Sequence, residues 1–442
     1  MSSKKFAGFV GLVVLSALAA PRSQGQGLGN SPYSRLGLGD EVPNTGGIRQ
    51  QGMGGAGLAA PNGSHVNDQN PAMLFYTTRT TFELGLNGQY KTVKNNVASQ
   101  KDGSATLGYM VLAVPLSSRW AASLGLRPYS VVDFEAKTID KVEGDPNARS
   151  LKQYEGTGSL SQAYIAQGVK VAKGLTVGVT ASYIFGAIDQ KTKATLLTDT
   201  SSISASTTTA VVGEHTYYSD FNFRVGSHYR TALNSNLNLN VGGTYTFGSK
   251  LDGTNSVVLD RERIDGTLLE RTPVQNDQTG AATLPSTIQG GISFDNNKNW
   301  TVAADASQTK WSDYRGFRGT NTTPLDNTFR VAAGGELTPD PTSVDSYFKR
   351  VTYRVGLSVA SMPYRPAGQT LYDRSVSWGF TLPVPSATAL DAAAVNLSFT
   401  YGMRGNTDVS TAFPKGNIQE DYVRAQLGFT LNNRWFIKRR VE

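Results

Sequence analysis

The sequence contains no cysteine, so neither disulfides nor thiolate metal sites can hold the fold. Histidine is almost as scarce. His65, His215 and His228 are the only three, and no pair of them has metal-ligand spacing. A net charge of +8 is scattered along the chain, which leaves no basic footprint for nucleic acid. Long apolar runs are missing too: after residues 6–20 nothing could cross a bilayer as a helix. The mean hydropathy of −0.29 would suit a soluble protein. A membrane barrel, however, hides its apolar residues in alternation. No Pro- or Ser-rich linker divides the 442 residues, so one large architecture is expected.

What is present begins with an export signal. Lys4 and Lys5 precede the apolar run FAGFVGLVVLSALAA, and Ser23-Gln24-Gly25 offers a small-x-small cleavage site, so residues 1–25 read as a signal peptide. From residue 81 the dominant signal has period two. In NLNLNVGGTYTFG (236–248), Leu237, Leu239, Val241, Tyr245 and Phe247 share one face, while Asn236, Asn238, Asn240, Thr244 and Thr246 share the other. About 14 such segments can be counted, each near the length that crosses a membrane as a tilted strand. They lie near 81–92, 104–115, 120–134, 157–171, 174–190, 219–232, 236–248, 283–295, 299–311, 328–338, 350–361, 374–383, 393–404 and 421–432. Links at 115–118, 172–174, 234–236 and 296–299 are short, and those at 135–156, 191–218, 250–282 and 312–327 are long. That asymmetry is the signature of an outer-membrane barrel with short periplasmic turns. The expected fold is therefore all-β: a transmembrane antiparallel barrel of about 14 strands over residues 81–436. A basic periplasmic tail follows at 437–442. Trp120, Trp300, Trp311, Trp378 and Trp435 fall near strand ends or on outward faces, as interfacial girdles require.

Residues 26–80 do not alternate and are rich in Gly, Asn and Pro. They have too few large apolar residues for a core of their own. A barrel this wide cannot fill its lumen with its own side chains, so a plug over 26–80 is the expected arrangement. Asn70-Pro71-Ala72 reads as a fixed turn that finishes the plug, since Pro71 locks its own φ and biases Asn70 to an extended backbone. Parity places Glu83, Arg127, Arg224, Asp305, Arg330, Arg354 and Arg424 in the lumen, where they select permeants or pair with each other and with the plug. The segment GYMVLAVPL (108–116) is apolar on both faces, and the same parity turns Met110, Leu112 and Val114 inward, where they pack against the plug or form one wall of a luminal hydrophobic pocket.

Two further motifs lack the context that their patterns require. Gly52-Met53-Gly54-Gly55-Ala56-Gly57 matches the dinucleotide fingerprint but lacks its strand and helix. DRERIDG (260–266) reads as a solvated loop face. No serine, histidine and acid set with a local signature is present, so neither an enzyme nor a cofactor is expected.

The pieces GMGGAGLAA (52–60), NPA (70–72), LPSTIQGGISF (284–294) and YVRAQLGFTLNNRWF (422–436) together resemble the FadL/TodX-like outer-membrane transporters of hydrophobic compounds. The resemblance implies a 14-stranded barrel whose N-terminal hatch carries the Asn70-Pro71-Ala72 motif. It also implies passive uptake of a small hydrophobic or amphipathic compound, such as a fatty acid. The long links at 191–218 and 250–282 depart from the family's greasy capture loops, being polar. A second role is therefore kept open: a structural or adaptor barrel with outer-membrane or periplasmic protein partners, as in the PorV-like barrels of type IX secretion. Outer-membrane lipid is the expected surround in both cases, and nucleic acid is not an expected partner.

Overall fold

A computed structural model describes residues 31–433 apart from 36, 43–44, 143–144, 198–206, 318, 320–324 and 385–391. The signal segment, the basic tail and Trp435 lie outside the described residues. The strands are β1 (Asp40–Glu41), β2 (Thr80–Lys94), β3 (Ser99–Ser117), β4 (Trp120–Val142), β5 (Asp145–Ala172), β6 (Leu175–Leu197), β7 (Thr208–Asn234) and β8 (Leu237–Thr246). They continue as β9 (Lys250–Arg263), β10 (Leu268–Thr283), β11 (Thr287–Asp295), β12 (Trp300–Thr309), β13 (Thr328–Leu337), β14 (Thr352–Ser361), β15 (Tyr372–Val384), β16 (Ala392–Gly405) and β17 (Gln419–Asn433).

β17 pairs with β2, and β8 pairs directly with β11. Each remaining wall strand pairs antiparallel with its sequence neighbour, so β2–β8 and β11–β17 close a ring of 14 strands. Closure removes every edge at membrane depth, which is what a sheet in lipid must achieve. The outward residues of β8, Val241 and Tyr245, are exposed, while Asn238, Asn240 and Thr244 are buried. Apolar side chains thus face lipid and polar ones face the lumen, the pattern of an outer-membrane barrel.

The 14 expected segments coincide with these wall strands, but three expected loops are strand. β4 and β5 continue through most of 135–156, and β6 and β7 reach into 191–218. Residues 250–283 form a hairpin, β9 and β10, that leaves the wall and pairs back onto β7 at Thr208–Tyr218. Beyond the membrane both faces of a strand meet water, so apolar alternation, the signal used to find strands, fades there. Opposite them the links at 118–119, 173–174, 235–236 and 296–299 are short, whereas the fifth periplasmic turn, 338–351, is long and carries a helical turn at Tyr347–Arg350.

Candidate functional site

Residues 31–79 are surrounded by the wall, and each side of the segment is fastened to inward-facing groups. A short helix, Ile48–Gly52, packs against β14–β17, and a 3-10 helix, Pro71–Tyr76, packs against β4–β7. Asn70 has an extended backbone (φ −127°), and its side-chain oxygen caps the 3-10 helix by accepting from Ala72 N at 3.0 Å. Its amide donates to the Ser227 carbonyl on β7 at 3.0 Å. On β12, Asp305 accepts from the backbone amides of Gly57 and Leu58 at 2.7 and 2.9 Å. Ser293 of β11 donates to the Ala59 carbonyl at 3.0 Å, and Arg330 of β13 donates to the Gly54 carbonyl. Asn432 of β17 closes the circuit on the Ser64 carbonyl at 3.1 Å.

Glycine makes this close fit geometrically possible. Gly178 of β6 lies against Pro71, and an added Cβ would stand 2.4 Å from the Pro71 carbonyl carbon. On the far side, Gly334 and Gly356 are cross-strand partners facing Met53. A Cβ on Gly356 would stand 2.0 Å from a Met53 backbone atom. Wall and segment meet here backbone to backbone, which no larger residue allows.

The charges are mostly paired. Glu336, at the edge of the buried interior, accepts from the buried Arg49 at 2.6 Å and from the buried Arg354 at 3.0 Å. Arg49 also donates to the Ala60 carbonyl, and Arg354 to Thr381. Glu83 accepts from Val66 N at 3.2 Å and from the Tyr109 hydroxyl at 3.1 Å, and His65 Nδ1 lies 3.0 Å from it. Arg127 meets Asp68 at 3.4 Å, and Arg224 bonds Thr246 and the Asp68 carbonyl. Arg424 bonds Gln89 and stacks on Tyr422. On the segment, burial pushes the Asp68 carboxyl up despite Arg127 and Arg224. Burial likewise raises Glu41 to about 7, with Arg127 and Arg224 opposing and Asp40 reinforcing.

Two cavities flank the segment. The outer one, about 240 Å³, is lined by Glu41, Arg127, Arg224 and Arg330 together with Trp311, Leu325, Phe329 and Met362. It borders an apolar cluster that includes Leu38, Phe134, Leu160, Ile184 and Tyr218. The inner one, about 820 Å³, opens toward the periplasmic turns and is lined by His65, Tyr76, Arg230, Glu336 and Asn432 among others.

Each of the seven luminal charges expected from parity has a polar contact in the lumen, five of them with the N-terminal segment itself. The wall formed by Met110, Leu112 and Val114 is a correction. Gly85 pairs with Tyr109 and Leu86 with Leu107, which leaves Gly108 as an extra residue in β3. This β-bulge reverses the parity of everything after it. Met110 is therefore 40% exposed on the lipid side, and Leu112 and Val114 share that face. Tyr109, Val111 and Ala113 turn inward instead and pack on Ile48, Val66 and Leu74. Trp311 is also corrected: it is packed beside the apolar cluster at the outer cavity, not in an interfacial girdle. Arg49 and Glu336 were missed, although Glu336 falls on the inward parity of VAAGGEL (331–337). Arg49 sits in a stretch without period, where no pattern could select it.

A family model described as BamG matches residues 4–442. This chain belongs to the BamG family. No curated protein matches it in sequence. Among solved structures, this BamG-family chain is similar to a Pseudomonas aeruginosa FadL homologue at 15% identity and TM-score 0.58, over 89% of this chain and 99% of that one. It is also similar to the CymD monoaromatic hydrocarbon channel at 16% identity and TM-score 0.52, again over 89% and 99%. The P. putida toluene transporter TodX aligns at 16% identity and TM-score 0.52, over 88% and 98%. These likenesses establish the fold, a FadL-like 14-strand barrel.

Proposed function

We propose that the barrel is a passive channel for a small hydrophobic or amphipathic compound, with the N-terminal segment as a plug that must shift for passage. The observation that carries this reading is the order of spaces along the lumen. An apolar cluster borders the outer cavity, the fastened segment lies beneath it, and a second cavity opens toward the periplasm. A compound crossing the outer leaflet would leave water at the cluster, lodge beside Trp311 and Phe329, and be stopped by the segment. The channels named among the structural likenesses support the same reading. No chemical step is required.

A second reading, a structural or adaptor barrel, is favoured by a different observation. The segment is tied to β7, β11, β12, β13 and β17 by direct bonds, and shifting it means breaking buried charge-assisted contacts. The family name also hints at protein partners. Native mass spectrometry of the protein gently extracted from its own membrane separates the two. A discrete lipophile adduct without protein supports the channel, whereas stoichiometric protein on an empty lumen supports the adaptor.

A further inference from the structure

The periplasmic turn 338–351 stands apart from the short turns on its side of the barrel. Its sequence, TPDPTSVDSYFKRV, is long enough to be floppy, yet it is internally fixed. Asp340 N donates to the Lys349 carbonyl at 2.8 Å, closing the turn on itself. The Asp340 carboxylate accepts from Thr342 N and Thr342 Oγ1 at 3.0 and 2.8 Å. Thr338 and Thr352 hydroxyls meet at 2.8 Å across its base. The Tyr353 hydroxyl donates to the Phe348 carbonyl, and the Tyr347 hydroxyl to the Pro383 carbonyl, both at 3.1 Å. Val351 beneath it is buried.

On this rigid base stand Val344, 91% exposed, and Phe348, 73% exposed. They are the two most exposed large apolar side chains among the described residues, more so than any lipid-facing residue of the wall. A loop fixed by its own hydrogen bonds that holds a valine and a phenylalanine outward is built to insert them into something.

We propose that this turn docks a periplasmic polypeptide, with Val344 and Phe348 entering an apolar pocket that carries a Lys or Arg beside Asp345. The charges favour protein over the phospholipid surface. Asp345 directly follows Val344 and Lys349 directly follows Phe348, and both are exposed, so sinking the two apolar side chains among acyl chains would drag a carboxylate and an ammonium with them, whereas a protein pocket can offer each a counter-charge at its rim. The nearby guanidinium of Arg350 sits 5.5 Å over the Tyr347 ring and borders the inner cavity, so it is not turned toward lipid headgroups. Docking here is independent of whether the lumen conducts.

The test places a photo-crosslinking p-benzoylphenylalanine at position 348, and separately at 344, in the full chain in its own cells. The proposal expects one discrete protein adduct, the same from both sites. Asp345→Lys should reduce it at least tenfold. In unlabelled protein, Val344→Ser with Phe348→Ser should abolish stoichiometric co-purification of that same protein, while heat-modifiable mobility shows the barrel still folded. Adducts of phospholipid mass alone would assign the turn to the membrane and overturn the proposal. So would the absence of an adduct, or a protein adduct indifferent to Asp345→Lys. If the double variant fails to fold, the Asp345→Lys crosslink decides alone.

Discussion

The two halves of the wall differ in what they do with length. β11–β14 have nine or ten residues each, enough to cross the membrane and little more. β4–β7 have 23 to 28 and carry the hairpin of β9 and β10 beyond the membrane. The short half holds the buried Arg49–Glu336–Arg354 group and the Gly334–Gly356 pair. The long half holds the apolar cluster and many of its ion pairs in the open, such as Arg261–Glu270. Chain extension is thus confined to one half, while both halves fasten the N-terminal segment: the long half through Asn70–Ser227 and Arg127–Asp68, the short half through the buried charges around Glu336.

The largest expected effect is from Gly356→Val. Its side chain cannot coexist with Met53, so the segment should unseat, becoming cleavable by protease and giving open-channel conductance in planar bilayers. Gly290→Val, with nothing within 4 Å of its Cβ, should leave both readouts unchanged. Next is Glu336→Gln, which leaves two buried guanidinium groups without a counter-charge. A loss of roughly 3–5 kcal/mol is the usual scale for breaking such a pair. Denaturant unfolding in micelles should show it, and an unchanged midpoint would mean the segment is not fastened there.

Glu41, beside β4, tests the long half by pH. Its carboxyl lies at about 7 against an ordinary 4.5. Because the folded value is raised, the folded state binds the extra proton and stability should fall as pH rises from about 4.5 through about 7. Glu41→Gln should remove that part of the slope, read as thermal midpoints across this window. The smallest effect is expected from Asp260→Asn in the outer hairpin. Its bidentate contact with Arg271, at 2.8 and 2.7 Å, holds the Asp260 carboxyl below its usual range. Arg271 is more than half exposed, however, so solvent screening should leave the denaturant midpoint almost unchanged.

The same contrast explains what could be read from sequence. Where a strand has lipid on one face and polar groups on the other, as in β8, parity located both the strand and its luminal side chains. Glu83, Arg127, Asp305 and Arg354 were legible for that reason. Parity holds only while the ladder is regular, and the one extra residue at Gly108 turned Met110, Leu112 and Val114 to the wrong face. A bulge leaves no mark in composition, and glycines are common elsewhere in this chain. Beyond the membrane the alternation fades, so β9 and β10 looked like loop. In the N-terminal segment no period existed, and Arg49 became visible only through its contact with Glu336.

The central claim, that the N-terminal segment must move for a compound to pass, can be tested by locking it. A Cβ on Gly242 of β8 would lie 3.2 Å from the Ala59 Cβ, close to disulfide range. The chain has no cysteine of its own to interfere. The measurement is uptake of a small lipophile such as toluene into liposomes containing the Ala59→Cys, Gly242→Cys variant, oxidised and then reduced. The account predicts background uptake with the bond closed and recovery of wild-type uptake on reduction. Equal uptake in both states, or none in either the variant or the wild type, would contradict it.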